Sequence, residues 1–325
     1  MGFSASAAVI QYLPIPVLGV EYVMGKIGYK QIVASATQFI ENNALHSNRI
    51  NWELVKAHLS LEENTQRSRH DAYVYIRSLL EELGDKHSHL ITDDMAQTRY
   101  SSVPKRPRSS VLSSNFGAIG YLEVPGFIET GSLSEVEFID SIRQFLFDLN
   151  KADLIGWIVD LRENDGGNMW PMLAGLEGLL DGPCVGHFSY SNNSKDSWIV
   201  ENGSAKIGSV TVSESAYLRN IEIDHELPLA FITSCKTCSS GEAIVVALKG
   251  RKLTKQFGSQ TFGLSTANEG LELPCGTMLW LTTSIFTDRH GVQYGKSIHP
   301  DVSINRTAPD GLILELASKW IAKSI

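Results

Sequence analysis

Two short runs constrain the fold more than anything else in this chain. Leu154-Ile-Gly-Trp-Ile-Val-Asp160 and Leu229-Ala-Phe-Ile-Thr233 are apolar at nearly every position. A strand with one wet face alternates apolar and polar residues, so near-continuous runs of this length predict strands buried on both faces. Each run leads through turn-forming residues into a helical pattern, Met172 to Leu180 after the first and about Gly241 to Lys249 after the second. Ile119 to Val124 and Thr277 to Ile285 read as further strands, and Leu312 to Ile325 as a terminal helix. Strands alternating with helices predict an α/β fold with a largely parallel sheet.

The first part of the chain reads differently. Tyr73, Ile76, Leu79, Leu80 and Leu83 recur at helical spacing, and Gly84 is a natural stop. An earlier helix covers roughly Tyr29 to Asn43, and Asn51 is placed to cap a short one beginning near Trp52. The expected organisation is therefore a helical bundle over residues 1–90 and a core over residues 91–325. Thr98 to Ser114, rich in Ser, Arg and Pro, reads as a linker or exposed loop. Residues 184–226 mix short β-like pieces with Asn, Ser and Gly, which suits either an insertion capping a cleft or an ordinary meander.

Composition removes several function classes. With 325 residues, 43% of them hydrophobic, the chain can bury a real core. Its formal net charge of -8 argues against nucleic acid as a partner, because such binding relies on Lys and Arg neutralising phosphates. The one basic run, Lys105 to Arg108, sits among Ser and Pro and reads as a solvated loop. Four cysteines are too few for a disulfide scaffold. Cys235 and Cys238 have C-x-x-C spacing, but no second pair lies at zinc spacing, so no metal or other cofactor is expected. Ala7 to Met24 is apolar but broken by Pro14, Pro16, Gln11 and Glu21, and no Lys or Arg precedes Lys26. Neither a transmembrane helix nor the charged start of a secretion leader is expected from it.

Three segments could carry chemistry. Thr237-Cys-Ser239-Ser240-Gly-Glu242 leaves a buried strand and opens a helix. A serine there stands at the edge of the sheet beside helix N–H groups that can stabilise an oxyanion. The same serines could simply cap the helix. Asp160-Leu-Arg-Glu-Asn-Asp-Gly166-Gly167 makes a similar exit, and its glycines either let backbone N–H groups approach a ligand or serve a tight turn. In Leu83-Gly-Asp85-Lys-His87-Ser-His89, the two histidines share a face of an extended segment. A neutral histidine near a serine can act as general base, and a surface histidine is the plainer reading.

Taken in order, these segments resemble the tail-specific, or C-terminal-processing, serine peptidases, a family that includes tricorn core protease and retinoid-binding modules. The family's Leu-x-Asp-x-His-Ser stretch is matched by Leu83 to Ser88, and its Asp-Leu-Arg-x-Asn-x-Gly-Gly by Asp160 to Gly167. Its serine three residues before a helix-opening glutamate is matched by Ser239 and Glu242. A closing Asp-Arg-x-Gly-x-x-Tyr-Gly-x-x-Ile-x-Pro-Asp runs from Asp288 to Asp301. The resemblance implies a ClpP/crotonase-like core of ββα units and peptide hydrolysis through an acyl-enzyme on Ser239. It assigns the oxyanion hole to the N–H of Ser240 with that of Gly166 or Gly167.

Two departures shape the expectation. Most members pair the serine with a lysine in a Thr-Phe-Gly-Lys stretch, and here Thr261-Phe-Gly is followed by Leu264, which cannot accept a proton. The chain thus resembles the histidine-using branch, to which tricorn and the nisin-resistance peptidase belong, and His87 matches its base. His89 has no such counterpart. Only 27 residues separate Ser88 from Phe116, too few for the PDZ domain typical of the family. Small peptides, including one dedicated modified peptide, thereby become candidate substrates beside protein tails. Asp288, Tyr294 and Asp85 are the candidates for a third residue orienting the histidine. The alternative is a non-catalytic module binding apolar ligands or peptides, as in the retinoid-binding relatives. The resemblance also favours an extracytoplasmic location.

Overall fold

The computed structural model describes residues 28–61, 67–92, 105–114, 117–128, 134–216, 221–305 and 307–325. The apolar N-terminal stretch and residues 98–104 of the expected linker lie outside them. In chain order the elements begin with α1 (Tyr29–Asn43), α2 (Trp52–Leu61), α3 (Arg69–Leu83), β1 (His89–Ile91), β2 (Arg108–Ser114) and β3 (Gly117–Glu123). Next come α4 (Glu135–Leu149), β4 (Leu154–Asp160), α5 (Met169–Leu176), β5 (Cys184–Tyr190), β6 (Lys195–Glu201), β7 (Ser204–Ile207) and β8 (Val210–Glu214). The remainder are β9 (Leu229–Thr233), α6 (Ser240–Lys249), β10 (Thr254–Gly258), β11 (Thr266–Glu272), β12 (Met278–Asp288), β13 (Val302–Ser303) and α7 (Asp310–Lys323). They fall into two compact units. One holds the described residues among the first 101 together with Asn268–Ser284, and the other holds Ser102–Ala267 and Ile285–Ile325.

The core unit carries the two runs that constrained the fold. Its first sheet has the order β13-β10-β9-β4-β3-β2, with every neighbour parallel except the β2–β3 pair. Successive residues along β4 and β9 serve opposite layers, as the pleat requires. Trp157, Val159, Leu229 and Phe231 join the apolar cluster of α4, α5 and α6. Ile158, Ala230 and Ile232 join a second cluster with Ile313, Ala317 and Ile321 of α7. With both faces covered, polar residues have no place in these strands, which is why the runs are continuous.

A second sheet departs from the expected parallel layer. Residues 184–214 form the antiparallel meander β5-β6-β7-β8, and the end of β12 in this unit lies next to β5. Phe188, Trp198 and Phe286 pack there edge to face, with ring centroids 5.0 and 5.2 Å apart along the chain of contacts. The helix expected from Met172 starts earlier, at Met169. Asn168 Oδ1 accepts the Trp170 N–H at 3.1 Å as its cap, and Pro171 sits in the first turn, where its missing N–H costs nothing. It ends at Leu176 and gives way to a 3₁₀ turn, Glu177–Leu179.

The helical unit packs α1 and α3 through Ile32, Val33, Ala36, Ile40, Ala72, Ile76, Leu79 and Leu83, joined by Leu279 and Leu281 of β12. A capping box between Ser68 and Asp71 starts α3, and Gly84, in the left-handed conformation at φ 66°, ends it. The chain then turns directly into β1, which pairs antiparallel with β12.

Candidate active site

Ser239 closes the turn that follows β9 and stands at the N-cap of α6. Its backbone is held at φ 51° and ψ -116°, a conformation that a residue with a Cβ adopts only under strain. The Ser239 carbonyl accepts the N–H groups of Glu242 and Ala243, so the residue is the hinge between turn and helix. The N–H of Ser240 opens α6 and has no acceptor within the helix. The Ser240 hydroxyl donates to the Gly167 carbonyl at 2.5 Å. Ser240 therefore ties two loops together and does not cap its own helix.

The turn is braced from inside by Glu242, which has no solvent exposure. Its Oε2 accepts the N–H of Ser239 at 3.0 Å and of Leu264 at 2.7 Å. Its Oε1 accepts the Thr261 hydroxyl at 2.5 Å and the Gly263 N–H at 3.0 Å. Burial pushes its pKa above the ordinary glutamate value, while these hydrogen bonds pull it back. The closing stretch locks the far side of the same loop. Thr261 exchanges hydrogen bonds with Ile298, and Ser265 donates to the Lys296 carbonyl.

Gly166 and Gly167 lie against this turn with φ of 100° and 103°. A Cβ built on Gly166 would stand 3.0 Å from the Cys238 carbonyl and 3.1 Å from Ser239 Cβ, and one on Gly167 would stand 1.9 Å from the Phe127 carbonyl. Both positions need glycine. Buried Asn164 organises the approach. Its side chain accepts the Gly166 N–H and donates to the Val124 carbonyl, both at 3.1 Å, while its backbone carbonyl accepts the Cys238 N–H at 3.0 Å. Thus Ser239, Ser240, Gly166 and Gly167 come together in one unit.

Asp288 and Tyr294 belong to the same unit. The Tyr294 hydroxyl donates to Asp288 at 3.1 Å, and Asp288 also accepts the N–H groups of His290 and Val292. Burial, and then the Asp288 charge, pushes the Tyr294 hydroxyl's pKa upward. His87 and Asp85 belong to the helical unit. Asp85 accepts the N–H of His87 at 2.9 Å and of Ser88 at 2.6 Å, and the hydroxyls of Ser88 and Thr282. Its carboxylate thereby shapes the turn that carries His87. The His87 carbonyl is held by Asn268 at 2.8 Å and lies 2.7 Å from His89 Nδ1, so His89 is spent on that turn.

A separate cleft of about 430 Å³ opens at the C-terminal ends of β3, β4, β9 and β10, lined by Arg162, Lys236 and Asp310 among others, and not by Ser239 or the two glycines. All four cysteines carry free thiols. Among the described residues, no three His, Cys, Asp or Glu side chains are grouped to hold a metal ion.

Comparison with known proteins decides the family. Residues 118–304 match the sequence profile of peptidase family S41. The chain belongs to this family. It is a serine-type peptidase, as its motifs imply. The nisin-resistance protein of Lactococcus lactis subsp. lactis is 24% identical over 304 residues, which span 91% of this chain and 88% of that protein. A lipoprotein from Streptococcus agalactiae has the same fold, with a TM-score of 0.72 at 22% identity, over 94% of this chain and all of that one. The photosystem II D1 C-terminal processing protease superposes with a TM-score of 0.65 at 14% identity, over 91% of this chain and 96% of that one. This S41 peptidase therefore has the α/β fold expected of it.

Glu242 and Asn164, which brace the Ser239 turn and the glycine pair, stand in these motifs with no role that the sequence alone assigns. Their signal was a carboxylate and an amide placed where helix and strand ends must be buried, where such groups persist only if hydrogen-bonded.

Proposed function

We propose that Ser239 is the nucleophile of this peptidase and His87 its general base. In this reading His87 takes the Ser239 hydroxyl proton as Oγ bonds to the scissile carbonyl carbon. The oxyanion is held by the N–H of Ser240 and a glycine N–H from Gly166–Gly167. His87 then gives the proton to the leaving amine as the C–N bond breaks, and water hydrolyses the acyl-enzyme by the same route. The observation that carries the reading is the strained Ser239 backbone at the helix N-terminus, braced by Glu242 and crowded by Gly166. Such strain is kept where a side chain must be presented, and a mere helix cap does not need it. Gly166 already donates to Asn164, so it would have to share its N–H with substrate.

The substrate is a peptide or protein segment. A small, modified peptide is favoured by the relative named for nisin resistance, and the lipoprotein among the similar structures supports an extracytoplasmic location. No helix among the described residues is long and apolar enough to cross a membrane. The test is fluorophosphonate labelling and cleavage of unstructured peptides by wild type, Ser239→Ala and His87→Ala. Labelling at Ser239, with loss of cleavage in both variants, is expected. Equal cleavage by Ser239→Ala would overturn the assignment.

A further inference from the structure

We propose that Phe262 and Leu264 form an apolar subsite that selects a large apolar side chain next to the scissile bond. The inference rests on the reading of Ser239 as nucleophile. Phe262 is 58% exposed and is the one aromatic among the exposed large hydrophobic side chains of the described residues. A lone exposed apolar side chain is ordinary in itself, so the case rests on where this one is fixed.

Its exposure does not come from a loose loop. The Phe262 N–H donates to the Thr237 carbonyl at 2.9 Å, two residues before the nucleophile. Thr261, Gly263 and Leu264 are all tied to the Glu242 carboxylate. Thr261 and Ser265 point inward and are buried, while Phe262 and the half-buried Leu264 between them are not. One oxygen of Glu242 holds both the Ser239 and Leu264 N–H groups, so Leu264 is set against the nucleophile's own backbone. No charged residue occurs from Thr261 to Asn268. In this reading a peptide acylating Ser239 lays its neighbouring residues over this rim. A rigid aromatic there loses little freedom on binding and removes apolar area from water.

The experiment uses matched fluorogenic peptides that differ only in the residue on either side of the cleaved bond, Leu or Phe against Asp or Ser. Values of kcat/KM are normalised to the fraction of sites labelled by fluorophosphonate, which corrects for misfolded protein. Wild type is expected to prefer the apolar peptides by roughly tenfold or more, the discrimination one apolar contact can give. Phe262→Ala should bring the ratio near one, and Phe262→Trp should keep it. Leu253→Ala is the control, because Leu253 is 43% exposed but lies at the opposite end of β9, where its carbonyl accepts the Leu229 N–H. Loss of preference in Leu253→Ala, or an unchanged ratio in labelled, active Phe262→Ala, overturns the subsite alone. Absence of labelling in wild type overturns the nucleophile assignment and the subsite with it.

Discussion

Removing the Glu242 carboxylate should unbuckle the Ser239 turn, and the size of the effect can be worked from its bonds. Glu242→Ala leaves the N–H groups of Ser239, Gly263 and Leu264 without their acceptor. An orphaned buried donor costs about 1–3 kcal/mol. Three of them, less the relief of a desolvated charge and some relaxation, should cost about 3 kcal/mol or more. That corresponds to a Tm lower by roughly 5–10 °C. Glu242→Gln keeps the volume. Its oxygen can serve Ser239 and Leu264 while its amide faces Thr261, whose hydroxyl can rotate to accept, so only Gly263 is left facing a donor. Its cost should be about 1–2 kcal/mol. Fluorophosphonate labelling should slow more in Ala than in Gln. The pH dependence gives a second reading. Burial raises the folded-state pKa above the ordinary 4.5, so the folded protein holds this proton more tightly than the unfolded chain. The wild type's margin over Glu242→Gln must then shrink as pH rises from 4.5 through the elevated value, by up to about 1.4 kcal/mol per unit. Denaturant titrations of the three proteins across that window test both claims. Glu242→Ala within about 1 kcal/mol of wild type, or a margin that grows with pH, would refute the reasoning.

Other expectations follow from the same geometry. Gly167→Ala drives a Cβ into the Phe127 carbonyl and should cost more than about 3 kcal/mol in urea melts, whereas Gly166→Ala, with contacts of 3.0–3.1 Å, should stay folded and lose most labelling of Ser239. If His87 is the base, kcat/KM should rise with pH as the imidazole loses its proton, the rise should vanish in His87→Ala, and a rise confined to the alkaline range would exclude it. Asn164→Ala should lower stability by about 2–4 kcal/mol by stranding the Gly166 N–H and Val124 carbonyl, with labelling impaired more than in any remote variant of equal stability.

The fold was legible where burial leaves one option. The two continuous apolar runs demanded covered strands, and the two clusters on either side of β4 and β9 supply the cover. The antiparallel meander was legible only as one of two alternatives, because its strands are partly solvated and their Asn, Ser and Gly residues fit an insertion as well as a hairpin. Of the candidate site, the order of motifs alone points to Ser239, Ser240 and the glycine pair. Their bracing was hidden. Glu242 reads locally as a capping-box glutamate, and only the tertiary return of Thr261 to Leu264 turns it into a four-donor hub. The closing motif gains a physical sense from the same hub, since Ile298 and Lys296 hold the loop that Glu242 grips.

Function and stability should be in open conflict at Ser239, and two substitutions can separate them. Its φ of 51° with ψ of -116° is a region glycine enters freely and a Cβ resists, at about 1–3 kcal/mol. Ser239→Ala removes the hydroxyl but keeps the Cβ and hence the strain. Ser239→Gly removes both, and loses about 0.5–1 kcal/mol to the greater freedom of its unfolded chain. Glycine should therefore be more stable than alanine by roughly 0.5–2 kcal/mol, although both abolish labelling. The capping contribution of the Ser239 hydroxyl is absent from both variants, so it cancels in the comparison. Equilibrium denaturation of the pair reads the strain directly. A glycine variant less stable than the alanine variant would mean that the turn is relaxed, and that the structural argument for Ser239 as a presented nucleophile fails with it.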